Sequence, residues 1–246
     1  MNRILIGGTP VDVVSAEKAA QWVLGRASRG LRTSVAPVNA AMVVMAAGNQ
    51  PFQQTLNEFD LLLADGMWPA LAATYLNRCR VPHANTLPFL RSFFNQAKPE
   101  RLRVYLLGAR PAIVERSAAN LSKYYSNARV VGYEHGYFDS NEETGIVERI
   151  NKSGADVVLL GISSPKKEYF IRNHWAEINV LLSVGVGGLF DILAGSILEA
   201  PGWVRNFGFE WLFRLSQEPK RLWKRYTITN LKFIFIVLQQ AIRPIL

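Results

Sequence analysis

Cysteine and histidine are scarce in this chain, which has 246 residues but only one Cys and three His. Because Cys79 is alone, an internal disulfide is excluded. A single Cys among apolar neighbours is most often inert packing. The four residues together show none of the ligand spacings of a protein metal site. The scarcity therefore predicts no disulfide framework, no bound metal and no cofactor held by such ligands.

Long hydrophobic runs are also missing. A membrane-spanning helix needs roughly 20 consecutive apolar residues, whereas the best candidate, residues 228–238, is 11 residues long and contains Lys232. Such a segment suits an interface rather than a bilayer crossing. The short apolar run near the N-terminus is broken by Gly7 and Gly8, and it lacks the length of a signal-peptide core. We therefore expect peripheral attachment to the cytoplasmic face of the inner membrane, with no signal peptide or transmembrane helix.

Positive charge is concentrated at the end of the chain. Residues 201–246 hold eight Lys/Arg and two Glu, so they carry +6 of the net charge of +9, together with nine of the 27 aromatic residues. Basic and aromatic side chains in alternation suit a surface where apolar and anionic groups meet, such as a membrane. Binding to nucleic acid and a purely structural role are the alternatives for this segment. We divide the chain into a catalytic body, 1–200, and a C-terminal membrane-associating appendage, 201–246.

Short apolar runs alternate with helical patterns along the body. The runs are continuous rather than alternating, which is typical of parallel strands buried on both faces. Segments 112–124 and 143–150 show helical periodicity. The alternation predicts an α/β fold, a Rossmann-like and mostly parallel sheet with flanking helices, followed by a basic, aromatic, helical appendage. The predicted strands are 34–38, 104–108, 130–133, 157–162 and 181–186.

Open α/β sheets bind ligands at the carboxyl ends of their strands, and the run 157–162 ends in a notable segment. Ser163 or Ser164 is expected to cap a helix that has Pro165 at its first position. Lys166 and Lys167 then lie in the first turn, where cations oppose the helix dipole. A docked anion would explain that arrangement. Ordinary capping with two solvated lysines is the alternative.

A glycine-rich turn follows the run 181–186. Gly185, Gly187 and Gly188 lack side chains, so the backbone can approach a phosphate or a sugar closely. Asp191, three residues further on, is a candidate for binding ribose hydroxyls. The turn is not the GxGxxG fingerprint of dinucleotide-binding proteins. A tight strand-to-helix turn with no ligand is the alternative.

Two polar residues follow other apolar runs and are candidates for catalysis. Asp65 comes directly after residues 61–64 and before Gly66. Desolvation raises the pKa of a carboxylate in an apolar setting, as a general base working near neutral pH requires. Asn39 follows the strand that ends at Val38, and its amide could orient a sugar hydroxyl. Both residues could instead be simple helix caps or turn residues.

In combination these segments resemble the WecG/TagA/CpsF family of bacterial glycosyltransferases, from Thr9 to Tyr226. Each match is weak alone, but their number and order argue against chance. The matching pieces are Val38-Asn39-Ala40, Ala64-Asp65-Gly66, Leu106-Leu107-Gly108, Gly132 with Gly136-Tyr137-Phe138, Ile150-Asn151, Ser164-Pro165-Lys166 with Glu168, Gly185 to Asp191, Ala194-Gly195, Ala200-Pro201, Glu210-Trp211-Leu212, Arg214-Leu215, Glu218-Pro219, Arg221 and Lys224-Arg225-Tyr226.

The resemblance implies an inverting, metal-independent hexosyltransferase of polysaccharide or cell-surface glycan synthesis. Its donor would be a UDP-sugar and its acceptor a polyprenyl-pyrophosphate-linked sugar at the membrane, with no nucleic acid and a homo-oligomer as a possible assembly. The resemblance makes Asp65 the base and puts Asn39 in the same pocket. Positive residues of the appendage would lie near the donor diphosphate. The substrate-binding residues expected are Gly108, Tyr137, Lys166, Lys167, Glu168, Gly185, Gly187, Gly188, Asp191, Arg214, Arg221 and Arg225, with Lys224 as an alternative to Arg225.

Two departures from the family pattern concern specificity. Lys167 stands where the family usually has Gln, and a cation there could change which donor sugar fits. Segment 80–87 lacks the Gly and the acid that usually follow Arg-Val, so Arg80 and His83 have open roles. The competing hypotheses are a nucleotide-binding, oxidoreductase-like α/β protein whose tail oligomerises, and a nucleic-acid-binding protein. The oxidoreductase-like hypothesis requires a GxGxxG turn after the first strand, and this chain lacks one. The nucleic-acid hypothesis leaves Asp65 without a role.

Overall fold

Eight strands and twelve helices make up the part of the chain described by a computed structural model, which covers residues 1–97 and 102–242 apart from the side chains of Asn206, Arg221 and Arg225. The strands are β1 (Arg3–Ile6), β2 (Thr9–Asp12), β3 (Thr33–Val38), β4 (Leu61–Ala64), β5 (Leu102–Gly108), β6 (Ala128–Glu134), β7 (Val157–Gly161) and β8 (Leu182–Gly185). The helices are α1 (Ala16–Ala27), α2 (Ala40–Ala47), α3 (Gln50–Asn57), α4 (Met67–Asn77), α5 (Thr86–Gln96), α6 (Pro111–Tyr124), α7 (Glu143–Ser153), α8 (Lys166–His174), α9 (Leu189–Leu193), α10 (Gly202–Asn206), α11 (Glu210–Gln217) and α12 (Pro219–Ile242).

Six strands form a parallel sheet in the order β4–β3–β8–β7–β5–β6. Residues of β3, β4, β7 and β8 are buried almost throughout, because helices cover both faces of the sheet. Two apolar clusters, one for each face, form the core. The predicted Rossmann-like α/β fold is confirmed. All five predicted strands are present, with ends that differ from the prediction by one or two residues.

Three strands lie outside the five predicted strand ranges, although one of them, β4, is the apolar run at whose end Asp65 was expected. Strands β1 and β2 form an antiparallel hairpin, and Gly7 and Gly8 occupy its turn with φ of 55° and 79°. A two-residue hairpin turn often needs positive φ at both positions, which glycine adopts without strain. Asp12 ties the hairpin to the sheet, since its Oδ2 accepts a hydrogen bond from the backbone N–H of Leu62 at 2.8 Å. The third, β4, is a four-residue edge strand beside β3.

The last three helices pack back onto the body. Helix α12 crosses α2 and α4 and buries Leu222 and Phe233. Its far end is held by Gln240, whose Oε1 accepts from the N–H of Gly7 at 2.6 Å and whose Nε2 donates to the carbonyl of Leu5 at 3.1 Å. The predicted helical C-terminal segment is therefore present. Within residues 1–97 and 102–242, no helix combines the length and the apolar character needed to cross a membrane.

The topology brings together the strand ends that carry the candidate site residues. Strands β4, β3, β8 and β7 are consecutive neighbours, and all of them point the same way. The loops that follow their carboxyl ends begin at Asp65, Asn39, Val186 and Ile162. Because carboxyl ends of parallel strands share one edge of the sheet, these loops form the place where a ligand is expected.

Candidate active site

A cavity of about 550 Å³ lies at this edge of the sheet, between the strand-end loops and helices α10–α12. Its volume is in the range of small-molecule sites. Polar side chains from both sides line it, so a ligand there would contact the body and the C-terminal helices at once. The predicted site residues that line it are Asn39, Asp65, Lys167, Gly187, Gly188, Asp191 and Arg214.

Asp65 is held by the start of a neighbouring helix and does not cap the helix that follows it. Helix α4 has Gly66 as its N-cap and no side-chain cap. Instead, Asp65 Oδ1 accepts a hydrogen bond from the backbone N–H of Thr86, the first residue of α5, at 3.2 Å. The alternative that Asp65 merely caps the helix near Met67 is therefore wrong. Its side chain lines the cavity, where a substrate proton could reach it.

Burial raises the pKa of the Asp65 carboxyl above its ordinary value. The N–H of Thr86 and the positive charges of Arg214 and Lys167 act in the opposite direction, because they favour the ionised form. Desolvation is the larger effect, so this carboxylate binds a proton more readily than a surface Asp. That is the property required of a general base.

Asn39 caps a helix and also lines the cavity. Its Oδ1 accepts a hydrogen bond from the N–H of Met42 at 3.1 Å, so it is the N-cap of α2. It also lines the cavity and is exposed there. The hydrogen bond to Met42 fixes the orientation of the Asn39 side chain at the carboxyl end of β3. Contact with a substrate remains a prediction for this residue.

The two lysines of α8 have different environments. Lys167, 6% exposed, lines the cavity and forms an ion pair with Glu168 Oε1 at 2.6 Å. Lys166 turns away and places its Nζ 3.6 Å from the centroid of the Phe138 ring. Glu168 is 1% exposed and also accepts from Ser164 Oγ at 2.9 Å. The charge of Lys167 is thus largely offset within the protein, which limits its value as an anion receptor.

The predicted start of this helix was wrong by one position. Pro165 is itself the N-cap of α8 rather than its first residue, and no side chain caps the helix. The hydroxyl of Ser164 bonds to side chains instead, since it donates to Glu168 Oε1 and accepts from Lys167 Nζ. The first helical residue is therefore Lys166.

The glycine turn after β8 receives an arginine from the appendage. A Cβ atom on Gly188 would lie 2.3 Å from Arg214 Nη2, so the missing side chain gives room to the guanidinium. Gly187 has φ of +52° and no atom near its Cβ position, so there glycine serves the backbone conformation. The buried Nε of Arg214 has no hydrogen-bond partner among the described residues. A cation with an unused donor therefore lies beside the turn.

Other predicted binding residues do not line the cavity. Gly185 makes room for the Lys167 side chain, whose Cε would lie 2.8 Å from a Cβ there, and Gly108 packs against the backbone of Gly161. The side chains of Arg221 and Arg225 are outside the described part of the structure. Substrate contact stays a prediction for these residues and for the others that lie outside the lining, Tyr137, Lys166 and Glu168.

The cavity also contains residues that sequence reasoning did not assign to it. Asn85 and His83 line the cavity from the loop before α5. The unusual segment 80–87 therefore reaches the cavity, although Arg80 is not part of the lining. Arg205 and Glu210 come from α10 and α11. Glu210 belongs to a matching motif, but nothing in its spacing connects it with Asp65. Only the docking of α11 brings the two carboxylates to one cavity.

Glu210 is the second buried acid of the site. Burial raises the pKa of its carboxyl, and the negative charge of Asp65 raises it further. Arg214, Arg205 and the amide of Asn85 oppose that rise. Across the described ranges, no three His, Cys, Asp or Glu side chains are grouped as ligands for a metal ion. In the part of the chain that the structure describes, the charged groups that line the cavity are three carboxylates, Asp65, Asp191 and Glu210, and three cations, Lys167, Arg205 and Arg214.

Comparison with known proteins identifies the family of this chain. A family model described as "Glycosyl transferase WecG/TagA/CpsF family" matches residues 4–245. A relative in Bacillus subtilis (strain 168), named N-acetylglucosaminyldiphosphoundecaprenol N-acetyl-beta-D-mannosaminyltransferase, is 26% identical over 204 residues, which cover 80% of this chain and 78% of that protein. The match favours a transferase over the oxidoreductase-like and nucleic-acid-binding hypotheses. Since the family model spans nearly the whole chain, this protein is a glycosyltransferase that belongs to the WecG/TagA/CpsF family.

Proposed function

We propose that this enzyme transfers a sugar from a UDP-sugar to a polyprenyl-pyrophosphate-linked sugar, with inversion at the anomeric carbon and without a metal ion. The observation that carries the proposal is the pairing of Asp65, a carboxylate whose pKa is raised by burial, with Arg214 in one cavity. A base and a cation that face the same space are what such a displacement needs. The acceptor class is inferred from the name of the Bacillus subtilis relative.

In the proposed reaction, Asp65 takes the proton of the acceptor hydroxyl as the hydroxyl oxygen attacks the anomeric carbon of the donor. The bond between that carbon and the diphosphate oxygen breaks, and UDP leaves with the electron pair. Attack from the face opposite the leaving group inverts the centre in one step. Arg214, beside Gly188, is suited to neutralise the charge that develops on the diphosphate.

Other residues have supporting roles in this proposal. Asp191 lines the cavity beyond the glycine turn and is suited to accept hydrogen bonds from ribose hydroxyls. Asn39 is suited to orient a sugar hydroxyl near Asp65. The ion pair of Lys167 with Glu168 replaces the amide that is usual in the family with a larger, nearly neutral unit. We therefore assign Lys167 to the shape of the donor pocket rather than to recognition of an acidic sugar.

Helix α12 supports the proposed attachment to a membrane surface. Its apolar residues Leu231 and Phe235 are 64% and 60% exposed. They belong to a row at helical spacing, which we call the α12 stripe. It lies opposite the face that packs on the body, which includes Phe233. An exposed apolar stripe among basic residues is typical of helices that lie in a bilayer interface. The α12 stripe consists of Ile228, Leu231, Phe235, Leu238 and Ile242.

We expect the Leu231→Ser and Phe235→Ser changes to weaken binding to vesicles containing anionic lipid, by about tenfold each. Burying one such side chain in an apolar phase contributes about 1.5–3 kcal/mol, and 1.4 kcal/mol corresponds to tenfold. Vesicle sedimentation measures the effect. Leu31→Ser, which removes an exposed Leu just before the amino end of β3, is the matched control. Equal binding by all variants would contradict the proposed membrane face.

The division at residue 200, the cytoplasmic location and self-association are also proposals. These proposals rest on the position of the C-terminal helices, because α10–α12 line one side of the cavity and α12 also carries the α12 stripe. A polyprenyl acceptor lying in the inner leaflet would reach the cavity past these helices. An α12 stripe that paired with a second copy instead would show a mass of twice 27.6 kDa in light scattering without lipid.

The reaction is tested by offering a panel of UDP-sugars, including UDP-N-acetylmannosamine, with a short-chain polyprenyl-pyrophosphate-linked N-acetylglucosamine. We expect UDP release from one donor only when the acceptor is present, undiminished by EDTA. Product anomer analysis by NMR then reads the stereochemistry. Release at the same rate without acceptor would indicate a hydrolase, and loss of activity with EDTA would overturn the metal-independent mechanism.

A further inference from the structure

The proposed reaction gives a role to Asp65 and to Asp191, but a third carboxylate of the cavity, Glu210, has none. Glu210 is the first residue of α11, and it lines the same cavity as Asp65. A buried acid close to the base costs stability through desolvation and like-charge repulsion. The displacement step alone does not explain its presence at this position.

A short chain of hydrogen bonds connects Glu210 with the loop that carries Asp65. Asn85 Nδ2 donates to Glu210 Oε2 at 2.6 Å, across a sequence separation of 125 residues. The other end of the same amide, Asn85 Oδ1, accepts from the backbone N–H of Gly66 at 2.8 Å. The next residue, Thr86, donates its N–H to Asp65 Oδ1 at 3.2 Å. Asn85 and Thr86 thus hold Glu210, Gly66 and Asp65 in one network.

We propose that Glu210 is a positioning residue of the transferase: through Asn85 it fixes the loop of Asp65, and through its charge it keeps Asp65 a competent base. This inference rests on the proposed function of Asp65. The network uses both polar atoms of the Asn85 amide, so its orientation is set by Glu210 on one side and Gly66 on the other. The Glu210 end of this network is supplied by α11, whereas the other end lies within the body.

The charges around Asp65 explain why a second carboxylate is useful. Lys167 from α8 and Arg214 from α11 both favour the ionised form of Asp65 and so weaken it as a base. Glu210 lies four residues before Arg214 on the same helix, and their charges attract. Arg205 from α10 also faces Glu210. Glu210 therefore offsets part of the positive charge that the leaving group requires. The other titratable groups in the lining are His83, Asp191 and Tyr226.

The test separates charge from hydrogen bonding. Glu210→Gln keeps an oxygen that can accept from Asn85 but removes the charge, whereas Glu210→Ala removes both. In Glu210→Gln we expect the side-chain carboxyl of Asp65 to titrate at lower pH than in the wild type, because the variant lacks the negative charge that repels ionised Asp65. Carbon-13 NMR of Asp-labelled protein measures this without substrate, with Asp65→Asn identifying the resonance. The acid limb of kcat against pH should move in the same direction.

Glu210→Ala should additionally lower kcat by about 10- to 100-fold, because Asn85 and the Asp65 loop lose their anchor. Glu148→Gln is the control for net charge, since Glu148 is an exposed residue of α7, and it should leave the titration of Asp65 unchanged. An unchanged Asp65 titration in Glu210→Gln would overturn the inference, whatever the activity. Full turnover by Asp65→Asn would instead overturn the proposed function, and the NMR result would still stand.

Discussion

The Asp65→Asn variant is expected to turn over about 10²–10⁴-fold more slowly than the wild type, the usual loss when a general base is removed. Asn can still accept the hydrogen bond that Thr86 donates to the wild-type carboxylate, so the loop should keep its position. The donor contacts proposed here lie on other residues, so the Kd of the UDP-sugar should change little. Steady-state kinetics with a saturating acceptor, together with calorimetric titration of donor, measure the two quantities.

The stability of this variant provides an independent check. Burial raises the pKa of Asp65 in the folded protein, so the wild type loses folding free energy as the pH rises from the pKa of an unfolded Asp to this higher pKa, and the loss is constant above it. The Asn variant lacks this cost, and its unfolding free energy relative to the wild type should increase as the pH rises through that range. Asp139→Asn, an exposed Asp outside the cavity, is the control. Near-normal turnover by Asp65→Asn would contradict the role of Asp65 as the base.

Removing the guanidinium of Arg214 should lower kcat by about 10²–10³-fold, the loss seen when one preorganised charge-stabilising donor is removed. Arg214→Ala deletes the cation that packs over Gly188 and whose buried Nε has no described partner. Since the proposed role is in the transition state, kcat should fall more than the donor Kd rises. Rapid-quench measurement of a single turnover separates the chemical step from product release.

The Gly188→Ala change tests the position of the Arg214 guanidinium without altering Arg214 itself. Gly188 has φ of −86°, which Ala adopts without strain, but the new Cβ would lie 2.3 Å from Arg214 Nη2. The end of a flexible side chain can move, so the protein should fold while Arg214 is displaced and kcat falls about 10- to 100-fold. Gly25→Ala, in a helix with nothing within 4 Å of the Cβ position, should leave kcat unchanged. A fully active Gly188→Ala would argue that the position of Arg214 does not matter.

Local patterns in the sequence predicted the elements of the fold that bury their residues on both sides. A strand in the middle of a parallel sheet shows a continuous apolar run, and the run 157–162 corresponds to β7 with an end that differs by one residue. The hairpin of β1 and β2 has no such signal, because it packs at an edge and its four-residue strands contain Thr, Pro and Asp. Helix α8 starts one residue later than predicted, and the Ser164 hydroxyl accepts from the side chain of Lys167 rather than from a backbone N–H.

Within the site, single residues were predicted where their own neighbours were informative. Asp65 follows an apolar run, and the glycine turn follows β8, so both were found at strand ends. Asn85 and Glu210 had no such signal. Asn85 lies in a segment without regular periodicity, and Glu210 begins a helix whose distance from Asp65 is set by packing. The network that joins them crosses 125 residues of sequence, and no local pattern reports such a contact.

By itself, the sequence determined the parallel α/β body, the strand-end position of Asp65 and the basic, aromatic character of the C-terminal segment, because burial and periodicity leave local traces. The tertiary structure alone decided which of the two α8 lysines faces the cavity and that Gly188 makes room for Arg214. It also decided that Glu210 meets Asp65 through Asn85. The contacts of Arg214 with Gly188 and of Glu210 with Asn85 join chain segments far apart in sequence, so no local pattern reports them.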